Sequence, residues 1–432
     1  MPLSVLFATT LAVALDVDQR QPHSLQHDAV TSYTLHATDT AVTTVSMPTM
    51  IMNTADLTQL QTTNAVMHAH RVGVTGVDFH NPQTAAGTLE TRGVAAALAS
   101  LGREALFLVT KLDKPPATMT DPEEAATLAE DVIRNLTSAL EHGGGPGKVG
   151  TVLAQLPTPP THHRAAVVDL LLMKDSTSCE VMQAQWAVLE RALAQGMTRA
   201  LGVYNFCESQ LECLLRTAAV PPSINFLMRH VGMGPDATGI IEFSASRRIQ
   251  TAVYGTLGEP VALPALLRDK VVRGIAEVHG RSVEEVALKW NVQSGYAVST
   301  RITADYAPDN TPTGSRCSDD HCSPALNAMS QVGAWELSTE EMHSLDALRL
   351  GGYPQPPTYY SSAACFASSE EAYPHMGHLN VSSCDALNAE NPFRGQPDQY
   401  QLPHSPDADD STGVWHGRAS PEHVQTLRVA WC

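Results

Sequence analysis

Six polar side chains each follow a short apolar segment, and their types are those that catalyse reactions or bind charged ligands. They are Asp78, Lys111, Lys174, Asn205, Tyr254 and Arg301. A carboxylate and an ammonium on neighbouring elements can form an ion pair and shift each other's pKa. Such pairs suit acid–base chemistry and the stabilisation of developing negative charge. The alternative for Asp78 and Lys111 is a structural ion pair, because structural networks also shift pKa values.

The segment around Asn205 indicates how these side chains are positioned. An amphipathic helix with apolar residues from Met182 to Leu193 ends before Gly196, which suits a helix C-terminus. A short apolar strand follows, and Asn205 comes at its carboxyl end, before a helix that begins at about Cys207. Ligands of parallel α/β proteins bind at such strand ends. The alternative for Asn205 is a polar cap on the following helix.

The same alternation of strand and helix recurs along residues 45–350. Strands are predicted near residues 48, 76, 108, 170, 202, 226, 252 and 298, the first spanning residues 45–52. Capping boxes at Ser282 and Ser338 mark the starts of two of the helices. Eight alternations without a G-x-G-x-x-G turn favour an α/β fold of the (β/α)8 TIM barrel type over an open doubly wound sheet. The barrel would gather the polar strand ends on one face.

The two ends of the chain lack this alternation. Residues 1–44 are interpreted as a leader or linker: an A-x-A pattern lies at Ala12–Ala14, but the first basic residue is Arg20. A secretory signal is therefore poorly supported, and a disordered leader or an organelle-targeting segment is the alternative. Residues 143–163 are expected to form an exposed insertion. Residues 351–432, rich in Ser, Pro, Asp and His, form an irregular tail that either wraps the barrel or stays disordered.

Composition argues against several functional classes. The net charge of −18 argues against a nucleic-acid partner, which requires clustered Lys and Arg. No run of 18 apolar residues exists, so no transmembrane segment is expected. A cytoplasmic or organellar location is favoured.

The eight cysteines form no C-x2-C pair, so no zinc site is expected. Cys317 and Cys322 lie in a polar loop and could be bridged in an oxidising compartment. Cys179, Cys207 and Cys213 lie in or beside predicted helices and are interpreted as buried thiols.

Several motifs, in the right order, resemble those of the aldo-keto reductases. That family consists of (β/α)8 barrels that use NADPH or, less often, NADH. The similarity covers roughly residues 45–350, and the segments that carry it are residues 73–78, 102–112, 196–206, 253–258 and 286–290.

The resemblance implies roles for five of the six polar side chains. Asp78 and Lys111 match the family's active-site carboxylate and its paired ammonium. Asn205 would hydrogen-bond the nicotinamide carboxamide, and Tyr254 would stack on the nicotinamide ring. Arg301 falls where the family places a cation for the adenosine phosphate, which implies NADP as the cofactor, with NAD possible.

The sequence also departs from the family pattern. Gln83 stands five residues after the aspartate, where the family has its catalytic Tyr. Lys174 replaces the family's catalytic His, Tyr204 replaces its Ser and Phe226 replaces its Gln. A second Arg for the cofactor phosphate, expected near residue 307, is absent.

These residues predict a NAD(P)-dependent oxidoreductase that acts on a small-molecule carbonyl or alcohol. Lys174, His80 or a water molecule would supply the proton. The alternative for Lys174 is a surface lysine paired with Asp175. The alternatives for the chain are a catalytically weak or inactive barrel that binds nucleotide or a protein partner, and lyase or hydrolase chemistry on the same fold.

Overall fold

The structure is a computed structural model. It describes residues 32–36, 44–116, 118–141, 167–176, 178–236, 239–258, 263–302 and 323–348. The expectations for the insertion at residues 143–163, for Cys317 and Cys322, and for the tail at residues 351–432 lie outside the described residues. Among the residues described, no helix is both long enough and apolar enough to cross a membrane.

The described chain begins with an antiparallel hairpin of β1 (Ser32–His36) and β2 (Thr44–Pro48). Its side chains Leu35, Val45 and Met47 are buried against barrel residues such as Phe107 and Ala297, at the amino ends of strands. The hairpin therefore closes the barrel at the end opposite the strand carboxyl ends. The prediction of a single strand over residues 45–52 is wrong. The strand is interrupted at Thr49, so that residues before it belong to the hairpin and residues after it belong to the barrel.

Eight parallel strands form a closed barrel, which confirms the fold predicted from the sequence. The ladder closes where the last strand pairs with the first, with Val298 beside Met50 and Arg301 beside Asn53. The strands are β3 (Met50–Asn53), β4 (Gly76–His80), β5 (Phe107–Leu112), β6 (Val168–Lys174), β7 (Thr198–Tyr204), β8 (Ile224–Met228), β9 (Gln250–Tyr254) and β10 (Ala297–Arg301).

Helices follow the strands and surround the barrel. The predicted capping boxes are present: the Ser282 and Ser338 hydroxyls accept from the backbone N–H groups of Glu285 and Glu341. The helices are α1 (Gln59–Arg71), α2 (Ala85–Leu101), α3 (Pro122–Glu141), α4 (Cys179–Ala194), α5 (Glu208–Leu215), α6 (Ile240–Ser246), α7 (Leu263–Leu266), α8 (Lys270–His279), α9 (Val283–Gln293), α10 (Pro324–Gln331) and α11 (Thr339–Ala347).

Two details of the helix layer depend on N-cap residues. α7 ends at Leu266 and α8 begins at Lys270, because Asp269 caps a new helix by accepting from the N–H groups of Val271 and Val272. The helix α10 was not expected. It begins at Pro324, after the N-cap Ser323, and its short apolar pattern of Leu326 and Met329 gives little periodicity.

Alternation along the strands divides the core into two layers. Inward residues such as Val109, Leu172 and Phe226 fill the barrel, whereas outward residues such as Phe79 and Leu108 pack against the helices. Full burial of side chains of this size stabilises a fold by roughly 1.5–3 kcal/mol each. The two layers make the barrel a rigid support for the side chains at its rim.

The interpretation of Cys179, Cys207 and Cys213 as thiols is wrong. Cys179 at the start of α4 is disulfide-bonded to Cys213 of α5, and their Cα atoms are 5.9 Å apart. Cys207 is disulfide-bonded as well. The sequence places these cysteines in or beside helices, but it carries no information on which segments approach each other closely enough for a bond.

Candidate active site

Asp78 and Lys111 form a buried ion pair inside the barrel, towards the carboxyl ends of β4 and β5. Lys111 Nζ lies 2.7 Å from Asp78 Oδ1, and the side chains are 2% and 1% exposed. Asp78 Oδ2 accepts hydrogen bonds from Asn53 Nδ2 and Ser299 Oγ, both at 2.8 Å. Three strands besides its own, β3, β5 and β10, therefore hold the Asp78 carboxylate in one orientation.

The environment of Asp78 favours its ionised form. Burial alone would raise the pKa of Asp78, but the Lys111 ammonium and the hydrogen bonds from Lys111 and Ser299 outweigh burial and lower it. A carboxylate that stays charged at neutral pH can keep a buried ammonium beside it. The ion pair therefore holds the Lys111 ammonium in one position towards the carboxyl ends of the strands.

His80 lies on the same face of β4 as Asp78, one layer nearer the mouth, and contacts a buried acid. Its Nδ1 is 3.1 Å from Glu90 Oε1, and its backbone N–H donates to Glu90 Oε2 at 3.0 Å. Burial and the positive charges of Lys111 and Lys174 hold the pKa of His80 well below its ordinary 6.5. The imidazole is therefore neutral at physiological pH.

Glu90 lies on α2, which packs directly on the segment after β4. A Cβ added at Gly87 would come within 2.0 Å of the Asn81 carbonyl oxygen, so glycine permits this close approach. Glu90 is 1% exposed, and it accepts from the Thr54 hydroxyl as well as from His80. Burial raises the pKa of Glu90 to about 7 in spite of these bonds. Glu90 thus keeps its carboxyl proton up to about neutral pH.

Lys174 extends from the end of β6 towards the loop after β5. Its Nζ forms an ion pair with Asp113, and both side chains are only about a fifth exposed. Asp175 instead pairs with Lys114 at 2.9 Å. The expected alternative of a Lys174–Asp175 pair is therefore wrong. The carboxylate beside Lys174 is in the β5 loop, and Lys174 contributes to the electrostatic environment of His80.

Three aromatic side chains, Tyr204, Tyr254 and Phe226, form a group beside the Asp78–Lys111 ion pair. The Tyr204 and Tyr254 rings stack with their centroids 4.4 Å apart and their planes 24° apart. The Tyr204 centroid is 5.4 Å from Lys111 Nζ and 6.3 Å from the Phe226 centroid. The Tyr254 hydroxyl donates to Asn205 Oδ1 at 3.0 Å. Asp78, Lys111, Tyr204, Tyr254 and Asn205 are therefore linked in one continuous set of contacts.

The Asn205 side chain is held by a fixed turn. Asn205 has a φ of +67°, a left-handed conformation that Asn adopts more readily than most residues. Its N–H donates to the Phe226 carbonyl at 2.8 Å, and Asn225 bonds both the N–H and the carbonyl of Phe206. These bonds fix the direction in which the Asn205 amide leaves β7.

Arg301 ends β10 on the same rim, next to the loop after β3. Its Nη1 lies 3.3 Å from Asp56 Oδ2, and both side chains are about a quarter exposed. The ion pair is accessible to solvent, so a stronger anion could compete with Asp56 for the guanidinium.

Arg229 belongs to the helix layer rather than to the site. Its guanidinium stacks on Trp290 at 3.6 Å and donates to Asn291 Oδ1 at 2.7 Å. Burial lowers the pKa of Arg229 to about 10. Arg229 therefore connects the end of β8 to α9, and its role is structural.

Four residues of the site were not identified from the sequence. Asn53 and Ser299 are polar residues in buried strands, and that position was an available signal. Glu90 is a charged residue among the buried residues of α2, which is a similar signal. Asp113 lies two residues beyond Lys111, in the loop that follows a strand end. Their contacts depend on neighbouring strands or helices and were not visible in local patterns.

A closed parallel α/β barrel with a polar cluster at the carboxyl ends of its strands is an architecture typical of enzymes. The sequence model of the aldo/keto reductase family matches residues 85–349. The chain therefore belongs to the aldo/keto reductase family and is an oxidoreductase of that kind.

Individual relatives support this assignment. An aldo-keto reductase of Mycobacterium leprae is 26% identical over 322 residues, which cover 73% of this chain and 93% of that protein. Aldo-keto reductase family 1 member A1 of Rattus norvegicus is 28% identical over 296 residues, covering 66% and 80%.

Solved structures agree on the fold. An aldo-keto reductase from a deep-sea metagenome library has a TM-score of 0.53 at 18% identity, covering 75% of this chain and 96% of that one. An aldo/keto reductase of Brucella melitensis has a TM-score of 0.52 at 19% identity, covering 73% of this chain and 99% of that one.

Proposed function

We propose that the protein uses NADP(H) to reduce an aldehyde or ketone, or to oxidise the corresponding alcohol. The observation that carries this proposal is the buried Asp78–Lys111 pair beside the Tyr204 ring, which stacks on Tyr254, whose hydroxyl in turn donates to Asn205. A fixed charge next to aromatic and amide groups suits a reaction in which a carbonyl oxygen becomes negative beside a flat, polar ring.

The chemistry of the rim suits a nicotinamide dinucleotide phosphate. Such a cofactor, when bound, supplies the hydride. The Asn205 amide would hydrogen-bond the carboxamide, and the Tyr254 ring offers a surface for stacking. Arg301 would contact the 2′-phosphate. The phosphate is a dianion and would compete for the Arg301 guanidinium better than the single carboxylate of Asp56 does. NADH lacks that phosphate and would gain nothing from Arg301.

Lys111 would stabilise the charge that develops on the substrate oxygen. Its ammonium is buried and already oriented by Asp78, so little reorganisation is needed during the reaction. Asp78 is itself oriented by Asn53 and Ser299.

Lys174 would act at the same oxygen from the neighbouring strand. Its Nζ forms an ion pair with Asp113, which holds the side chain at the rim of the barrel. This arrangement supports an electrostatic clamp on the carbonyl oxygen. His80 is the better-placed donor: Nε2 would give its proton to the substrate oxygen while Nδ1 takes the proton of the buried acid Glu90, 3.1 Å away, so that the ring stays neutral. Water is the remaining source.

The test is NADPH oxidation with a panel of aldehydes and ketones by the parent protein and by Lys174→Met. The variant keeps the length of the side chain and removes its charge. It should bind NADPH as the parent does and lose turnover by ~100-fold, the scale expected for a positioned electrostatic or acid group. Lys114→Met is the matched control, because Lys114 pairs with Asp175 on the same rim.

Unchanged turnover in Lys174→Met would remove Lys174 from the reaction. A parent protein that binds NADPH but turns over no carbonyl would contradict the proposed activity. That result would favour the alternative, a barrel that binds nucleotide without catalysis.

A further inference from the structure

The stacking surface of Tyr254 is already used by another side chain. The Tyr204 ring lies against Tyr254 with 4.4 Å between centroids and 24° between planes, which is close to a parallel stack. Aromatic rings of this kind attract each other when they are offset or nearly parallel at such distances. A second flat ring cannot occupy the same face of Tyr254 while Tyr204 remains there.

Tyr204 also lies close to the buried ion pair. Lys111 Nζ, which is 2.7 Å from Asp78 Oδ1, is 5.4 Å from the centroid of the Tyr204 ring. The ring is therefore in contact with Tyr254 and within cation–π range of Lys111. A flat ring that stacks on Tyr254 and delivers hydride to an oxygen held by Lys111 would have to enter this same region.

We propose that Tyr204 is an aromatic cover on the stacking face of Tyr254, and that its displacement determines how tightly the protein binds a nicotinamide dinucleotide. The proposal rests on the function proposed above. The resemblance places a small serine at this position, so the cover belongs to this chain. Displacement of the Tyr204 ring should leave binding of the adenosine end unaffected, because Arg301 ends β10, which is separated from β7 by β8 and β9.

The cover moves by side-chain rotation rather than by movement of the backbone. Tyr204 pairs with Lys174 on one side and with Phe226 on the other, and its carbonyl accepts from the N–H of Asp175 at 3.3 Å. The adjacent Asn205 turn is held by Asn225. The backbone is thus fixed on both sides, whereas the half-buried ring is at the solvent-facing end of its strand.

Equilibrium titration with two ligands tests the proposal. One ligand is NADPH, and the other is adenosine 2′,5′-bisphosphate, which has the adenosine and the phosphate but no nicotinamide. Tyr204→Ser should bind NADPH at least ~10-fold more tightly than the parent, which corresponds to about 1.4 kcal/mol. Tyr204→Phe keeps the ring and should bind NADPH as the parent does. The bisphosphate should bind all three proteins equally.

Equal NADPH affinity in the parent and in Tyr204→Ser, with the bisphosphate still bound, would overturn the cover and leave the proposed cofactor standing. Failure of every protein to bind either ligand would overturn both the cover and the proposed function. A gain in affinity for the bisphosphate as large as that for NADPH would place the effect outside the nicotinamide region and overturn the cover.

A second measurement on the full-length chain does not depend on the folding of Tyr204→Ser. Fluorotyrosine at position 204 should give a fluorine NMR signal that shifts when NADPH binds and stays in place when the bisphosphate binds. An unchanged signal in the NADPH-bound protein would show that the ring is not displaced and would overturn the proposal.

Discussion

Replacing Glu90 with glutamine should change the way in which the stability of the barrel depends on pH. Glu90 is buried behind His80, and burial raises its pKa to about 7 from the ordinary 4.5. The bonds from the Thr54 hydroxyl and from the backbone N–H groups of His80 and Asp56 favour the ionised form but do not outweigh burial. Glutamine has a similar shape and does not titrate.

The direction of this pH dependence follows from proton binding to Glu90. Between pH 4.5 and 7 the folded protein keeps a proton on Glu90 that the unfolded chain has released, so the free energy of unfolding falls as pH rises. The full difference between these pKa values corresponds to about 3 kcal/mol. Most of that loss should occur between pH 5 and pH 8.

His80 makes the free energy of unfolding depend on pH in the opposite direction. Burial and the charges of Lys111 and Lys174 lower its pKa, and Asp113 and Asp78 oppose them. The folded state therefore binds fewer protons on His80 than the unfolded chain does below pH 6.5, and this contribution to stability rises with pH until about that value. His80 is present in both proteins, so the difference between parent and variant chiefly reports Glu90.

The assay is urea denaturation followed by tryptophan fluorescence at pH 5, 6, 7 and 8. The stability of the parent relative to Glu90→Gln should fall by about 2–3 kcal/mol across this range. Glu130→Gln is the control, because Glu130 is an exposed glutamate of α3 paired with Arg191. A parent and a Glu90→Gln variant with the same pH dependence would show that Glu90 is ionised in the fold and would refute the reasoning.

Three further substitutions test the charged groups of the site. Asp78→Asn leaves the Lys111 ammonium buried without its carboxylate and should lower the free energy of unfolding by about 3–5 kcal/mol, measured by urea denaturation. Adding Lys111→Met should recover part of that loss, and no recovery would argue against coupling within the pair. Arg301→Ala should weaken NADPH binding by roughly tenfold to hundredfold, as expected for a charged hydrogen bond of about 1.5–3 kcal/mol, and leave NADH binding nearly unchanged. Equal losses for both cofactors would remove Arg301 from the phosphate site.

The barrel could be predicted because its evidence is local. Each strand is a short apolar run, and helices such as α9 begin with a capping box that is visible within four residues. Burial of alternate residues then follows from the strand period. The hairpin of β1 and β2 was not predicted, since its short strands pack only by covering the end of the barrel.

The candidate site could be predicted only in part. The polar residues at the strand ends are visible in the sequence, but their partners are not. Lys174 pairs with Asp113 from the next loop rather than with its neighbour Asp175. The stacking of Tyr204 on Tyr254 depends on rings from strands β7 and β9, which are separated by β8. Such contacts are set by closure of the barrel and by side-chain direction, which a linear pattern does not contain.

The most direct test of the proposed function is transfer of hydride from cofactor to substrate. The protein would be incubated with NADPH that carries deuterium at the transferable position of the nicotinamide, together with the panel of aldehydes and ketones. Mass spectrometry of the alcohol products should find one deuterium on the former carbonyl carbon for each NADPH oxidised. Alcohol without deuterium, or no alcohol from a protein that binds NADPH, would contradict the proposal that this barrel is an NADP(H)-dependent carbonyl reductase.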